Sequence, residues 1–190
     1  MFRFLVVLSL VLGVLSGGKL SRLGELKLER FGWILGSFAV KFGSVLLLQG
    51  KVEPSPALCT AISLATYLML FYGLYPNLKL PGFVPMASGM FLNCLVIIAN
   101  GGRMPVDPNG IGTGLLDSQV QALGSSLTHQ AITGDARLRW LADIFGWRFL
   151  SKTPTTFSVG DILMAAGVLW FILHTLHRGF PEARKDARIN

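Results

Sequence analysis

The chain has 190 residues, 52% of them hydrophobic and 14% charged, with a mean hydropathy of +0.56. One soluble core of this size needs far fewer apolar side chains, so the composition excludes an ordinary water-soluble globule and makes lipid the sink for the excess. The net charge of +7 sits on basic residues beside hydrophobic runs rather than in one patch, which fits anchoring at lipid headgroups and not nucleic-acid binding.

In chain order, five apolar stretches read as long and apolar enough to cross a hydrocarbon layer, which takes roughly 20 residues at about 1.5 Å per residue. They are Phe2–Ser16, Phe31–Gln49, Ala57–Tyr75, Gly82–Asn100 and Phe157–His177. The first is short, and its MFR opening with Val14-Leu15-Ser16 raises a signal peptide as the alternative. We read it as a retained helix, because removing it breaks the charge pattern. Lys19, Arg22, Lys27 and Arg30 follow the first stretch, Lys79 follows the third, and Arg178, Arg184, Lys185 and Arg188 follow the fifth. The short opposite ends carry only Arg3 and Lys51. Basic flanks belong in the cytoplasm, so five spans alternate with the N-terminus outside and the C-terminus inside.

Gly32, Gly36, Ala39 and Gly43 form a small-residue stripe on the second stretch, and Ala57, Ala61 and Ala65 form one on the third. Both are expected to admit close helix packing. No internal repeat points to an inverted-repeat transporter. The long segment Gly101–Thr156 then falls on the outer face; its Arg103, Arg137, Arg139, Arg148 and Lys152 run against the charge rule, which long connections obey weakly. Within it, Leu116, Val120, Leu123 and Leu127 recur at helical spacing, and Leu138, Trp140, Leu141, Ile144, Phe145, Trp147 and Phe149 alternate with charges. That pattern predicts amphipathic helices on the membrane surface with tryptophans at headgroup depth. The expected fold is therefore an all-α integral membrane protein: one membrane domain over 1–190, five transmembrane helices, and an outer-face segment over 101–156.

Several residues could carry chemistry. Asn100, Gly101, Gly102 and Arg103 open the string NGGRMPV. They read as a helix stop, with a left-handed residue, a lipid-facing arginine and Pro105 preventing resumption; or as an anion cradle of backbone N–H groups and guanidinium. Ser158 and Asp161 have capping-box spacing at the mouth of the fifth stretch. Asp143 lies among apolar and aromatic residues, where a carboxylate needs a partner such as Arg103 or Arg139. His129 with Asp143 and Asp161 forms the candidate catalytic set, although the spacings match no metal motif. Lys41 sits mid-way along the second stretch and should face the bundle near Tyr67 or Asn93, a candidate ligand contact. His174 and His177 fall where they can meet the last helix carbonyls. Cys59 and Cys94 have no CxxC spacing and read as small core side chains. No cofactor or metal is indicated.

The string NGGRMPV, then His129, Thr133, Asp135 and Leu138, then Leu141-Ala142-Asp143-Ile144, then Ser158-Val159-Gly160-Asp161-Ile162-Leu163, resembles the bacterial membrane family called domain of unknown function 5317. The likeness spans essentially the whole chain. It implies a multi-pass protein of the bacterial cytoplasmic membrane and supplies no activity; at Lys41 it leads one to expect an uncharged polar residue instead. The leading functional expectation is a small non-enzymatic subunit or accessory protein, with the bilayer and a protein as partners and an outer-face contact surface. The alternatives are an enzyme or binding site for a lipid-linked or phosphorylated substrate at the outer face, and a small-solute or quinone-binding protein using Lys41 and Asn93.

Overall fold

The computed structural model describes residues 2–148 and 153–179. Phe149, Lys152, Arg184, Lys185 and Arg188 lie outside the described residues, as does the side chain of Arg3. Among the described residues, six α-helices and four β-strands follow one another. They are α1 (Phe2–Leu15), α2 (Phe31–Leu48), α3 (Pro56–Leu74), α4 (Phe83–Ala99), β1 (Met104–Ile111), α5 (Asp117–Gly124), β2 (His129–Ala131), β3 (Asp143–Trp147), β4 (Thr155–Phe157) and α6 (Val159–Arg178).

The apolar helices stand side by side: α1 packs on α6, α6 on α4, α4 on α3, and α3 on α2. Three of them, α2, α6 and α3 with the turn after it, are long and apolar enough to cross a membrane; Phe4–Leu15 and Phe83–Ala99 are apolar but shorter. This corrects the expectation of five spans. Much of the apolar surface faces outward: Ser37 is the one buried residue of α2, while Phe42, Leu46 and Leu47 stand well exposed. A water-facing helix hides such residues, so the surface fits lipid.

Of the small-residue stripes only Gly36 meets a neighbouring helix closely, where a Cβ would lie 2.7 Å from the Met69 side chain of α3. Ala57, Ala61 and Ala65 are exposed, and a Cβ on Gly32 or Gly43 would meet open space. The close approach lies between α4 and α6 instead, where Gly82 faces Gly167 and Gly89 faces Gly160 closely enough that a Cβ on any of the four would overlap the other helix. Two glycine pairs seven residues apart on antiparallel helices allow backbone-to-backbone packing, the membrane use of small residues.

The largest correction concerns residues 101–156, which are not a set of surface helices. They build a mixed four-stranded sheet of order β2-β1-β3-β4, with β1 parallel to β2 and β3 and β3 antiparallel to β4. The whole is therefore a mixed α/β structure, not an all-α one. Of the two expected helices, only the short α5 forms; Leu127 leaves it and is buried in the core. The Leu138–Trp147 stretch makes a single helical turn, Arg139–Leu141, and then β3. The physical reason lies in Asp143-Ile144-Phe145-Gly146-Trp147: branched and aromatic residues favour a strand, and a Cβ at Gly146 would overlap the Thr113 backbone. The sheet docks on the bundle through Val96 and Ile97 of α4, Met104 of β1, and Leu141 with Ala142 just before β3.

Candidate functional site

The candidate residues gather where the sheet meets the helices, but they divide into separate groups. Asp161 caps α6: its N–H donates to the Ser158 hydroxyl at 3.1 Å and its Oδ2 accepts the Ser158 N–H at 3.0 Å. Asn93 of α4 completes the group, accepting the Ser158 hydroxyl at 2.8 Å and donating to Asp161 Oδ1 at 3.0 Å. Reciprocal capping satisfies the orphan N–H groups of a helix start, and the amide ties that start to its neighbour. Asn93 thus meets Ser158 and Asp161 rather than Lys41.

The turn Asn100–Gly102 ends α4 by the Schellman pattern. Gly101 N–H donates to Ile98 O and Gly102 N–H to Ile97 O, with both glycines at positive φ, 71° and 83°. Those two N–H groups are engaged with helix carbonyls. Gly102 also lies on the Cys59–Thr60 backbone, and its carbonyl accepts the Ser63 hydroxyl at 2.7 Å. Asn100 holds the far loop: its amide donates to Arg137 O at 2.9 Å and accepts the Arg137 N–H at 2.9 Å. Arg103 reaches Ser126 O at 3.4 Å and borders a separate shallow cleft with Gln121, Gln130 and Thr133.

His129 and Asp143 are brought together across the sheet. Register sets Met104 of the intervening β1 against His129, and Val106 against Asp143. His129 Nε2 lies 3.9 Å from Asp143 Oδ2, and His129 Nδ1 meets the Thr128 hydroxyl at 2.8 Å. The Asp143 side chain is 7% exposed and that of His129 46%. Asp143 Oδ2 accepts a long hydrogen bond from Thr156 at 3.5 Å, and its buried Oδ1 has no hydrogen-bond partner among the described residues. Its partners are therefore His129 and Thr156, not the arginines expected from sequence.

Burial pushes the Asp143 carboxyl up to about 7, and nearby Asp161 adds to this while Thr156 opposes it. Burial pulls His129 below its ordinary value, helped by the positive charge of Lys41. With nearly half the imidazole open, desolvation acts less fully on His129 than on Asp143. At neutral pH the pair is thus a neutral imidazole beside a carboxyl able to hold or release a proton. Among the described residues, no three His, Cys, Asp or Glu side chains gather as metal ligands do.

Lys41 itself lies on a cavity of about 360 Å³ bounded by α2, α3, α4 and α6. Tyr67 shares that cavity with it, as expected. Sequence reasoning missed the other walls, Met86, Met90 and Met164; their signal was three methionines within two adjacent apolar stretches.

Three helices long and apolar enough to cross a membrane, packed with a small mixed sheet, make a helical scaffold with an α/β cap that is compatible with a membrane protein. The chain belongs to the family of unknown function DUF5317, whose model matches residues 25–173. An uncharacterised protein of Thermotoga maritima is 32% identical over 109 residues, covering 57% of this chain and 60% of the relative. No solved structure matches.

Proposed function

We propose that this chain is a non-enzymatic component of the bacterial cytoplasmic membrane, crossing it more than once, with its sheet-capped end outside as a contact surface for a protein partner. One observation carries the reading: charge is separated along the helix axes. Among the described residues, one end carries Lys19, Arg22, Lys27, Arg30, Lys79 and Arg178 against Glu25 and Glu29. That end is drawn together by Arg22 donating to Leu176 O and His177 O, and by Asn77 bonded to both the N–H and the carbonyl of Glu29. The sheet end mixes both signs and shows Ile111 and Trp140 about two-thirds exposed. Basic flanks stay inside, so the sheet end faces outward. Asp161, Asn100 and the two glycine N–H groups are occupied in holding helix ends, which favours a structural component over a catalyst.

The test has two arms in a variant lacking Cys59 and Cys94. A cysteine at Ser118 should react with an impermeant thiol reagent from outside, and one at Ser21 only after permeabilisation. Purification in mild detergent should then recover a stoichiometric partner that Trp140→Glu releases. Labelling of Ser21→Cys from outside sinks the orientation, and a monodisperse chain free of partner sinks the subunit reading.

The second reading is an acid–base site for a lipid-linked or phosphorylated substrate at the outer face. The orphan Oδ1 of Asp143 beside a partly open His129 favours it. Turnover of such a substrate by the purified chain, abolished in Asp143→Asn, would put it first.

A further inference from the structure

We infer that the cavity between α2, α3, α4 and α6 binds a single-chain amphiphile with an anionic head, of the fatty-acid class, whose carboxylate meets Lys41. The inference stands on the cavity and does not depend on the partner reading above.

Position comes first. Lys41 lies about 15 Å along α2 from Phe31 and about 10 Å from Leu48 at about 1.5 Å per residue, well inside a helix of spanning length. A cation at that depth is costly unless it meets a counter-charge or a polar cavity. No carboxylate lines the cavity, and among the described residues Lys41 makes no ion pair. Of the other polar walls, Ser37 donates to Ile34 O at 2.6 Å, Thr66 donates to Ile62 O at 2.8 Å, and Tyr67 adds a neutral phenol. The Lys41 ammonium is thus the one charged group on the wall, and its complement is an anion.

The remaining walls set the rest of the ligand. Phe42 and Leu70, with Met86, Met90 and Met164, form an apolar lining whose thioethers adapt to an irregular chain. A volume of about 360 Å³ is at the small end of ligand sites, about 300–1,000 Å³, with room for one acyl chain rather than two. Phe38 and Phe42 of the α2 wall are exposed on the lipid-facing side, so an amphiphile reaches the cavity from the bilayer without passing through water. A neutral lipid-soluble molecule would leave the lysine without a counter-charge; this is what selects the anion.

The experiment uses the full chain in phosphatidylcholine nanodiscs at pH 8, with stearate spin-labelled mid-chain as the probe and its methyl ester as the neutral control. The expected result is a saturable, motionally restricted signal, one probe per chain. The ester and Lys41→Met should each bind about tenfold or more weakly, and Lys41→Arg should stay close to wild type. Lys41→Met removes a cation from apolar surroundings, so its Tm in the same nanodiscs is expected at or above wild type, which separates lost binding from unfolding. Met90→Trp, which fills the cavity, should abolish the signal with Lys41 intact. Equal binding of acid and ester, or full binding by Lys41→Met, would overturn the inference, as would a signal that never saturates.

Discussion

Asn93 stands between Ser158 and Asp161, accepting from the serine hydroxyl at 2.8 Å and donating to the carboxylate at 3.0 Å. The cap of one helix is thereby read by the side chain of another, at the level where Gly89 and Gly160 bring the two backbones together. Asn93→Leu should destabilise the protein by about 2–4 kcal/mol, because the buried Ser158 hydroxyl loses its acceptor and Asp161 Oδ1 its donor. Ser158→Ala should cost less, about 1–2 kcal/mol, as an ordinary N-cap loss. The two changes share one network, so the double variant should lose less than their sum. Thermal unfolding in a single detergent compares all three; strict additivity would show that the network is not a unit.

The Asp143–His129 pair gives a pH dependence with opposed signs. The folded carboxyl is raised from 3.8 to about 7, so its contribution is fully present below about pH 4 and is lost as pH rises towards 7. The folded imidazole is lowered from 6.5, so its contribution is present above that value and lost as pH falls. In wild type the two slopes partly offset between about pH 4 and 6.5, with the buried Asp143 the larger, on the order of a few kcal/mol. His129→Gln should therefore fall in stability more steeply than wild type from pH 4 to 7. Asp143→Asn should invert the profile and gain stability up to about pH 6.5. Melting temperatures across that range check both, and an unchanged profile in Asp143→Asn would remove Asp143 as the titrating group.

The glycines of the α4 turn separate conformational cost from contact cost. Gly101→Ala meets only Pro56 at 3.3 Å, so its penalty is that of a left-handed residue, about 1–2 kcal/mol. Gly102→Ala carries the same penalty and also overlaps the Cys59–Thr60 backbone, where nothing can yield without moving α3 from the turn that ends α4. Loss of folded protein on size exclusion is expected for Gly102→Ala, and a modest Tm shift for Gly101→Ala. Gly124→Ala, in open space within α5, should be neutral or slightly stabilising.

These groups show how far the sequence could be read. Apolar runs mark the five apolar helices, three long and two shorter, because burial against neighbours or lipid leaves its imprint on composition, and Ser158 with Asp161 carries its cap in its spacing. The sheet left no such mark. Its strands β2 and β4 are three residues long, too short for an alternating pattern, and β1 contains Pro105 and Pro108, which argue against a strand when seen alone. Pro105 is tolerated because its neighbours hold the β2 side: Met104 N–H donates to Thr128 O, and Val106 O accepts from Ile132 N–H. The parallel pairing of β1 with β2 and β3 joins residues 25 to 37 positions apart, and no local window contains that information. For the same reason the proximity of His129 to Asp143, and the engagement of the glycine N–H groups, follow only from the fold.

Arg22 separates two roles that sequence merges. Its charge belongs to the basic end, but its guanidinium also donates to Leu176 O at 2.8 Å and to His177 O, while Lys19 N–H adds a third bond to Leu176 O. These carbonyls close α6, where a cation opposes the negative end of the helix dipole. Arg22→Ala should cost about 1–2 kcal/mol. Both bonds leave one guanidinium nitrogen, Nη1; Arg22→Lys keeps the charge but not the planar guanidinium that presents it, so it should recover only part of that loss. Neither change should reverse orientation, because Lys19, Lys27, Arg30 and Lys79 persist at the same end. Thermal unfolding with thiol labelling of Ser21→Cys in each background separates the two effects. If Arg22→Lys melts like wild type, the charge alone suffices; if Arg22→Ala flips the labelling pattern, this one arginine sets the topology.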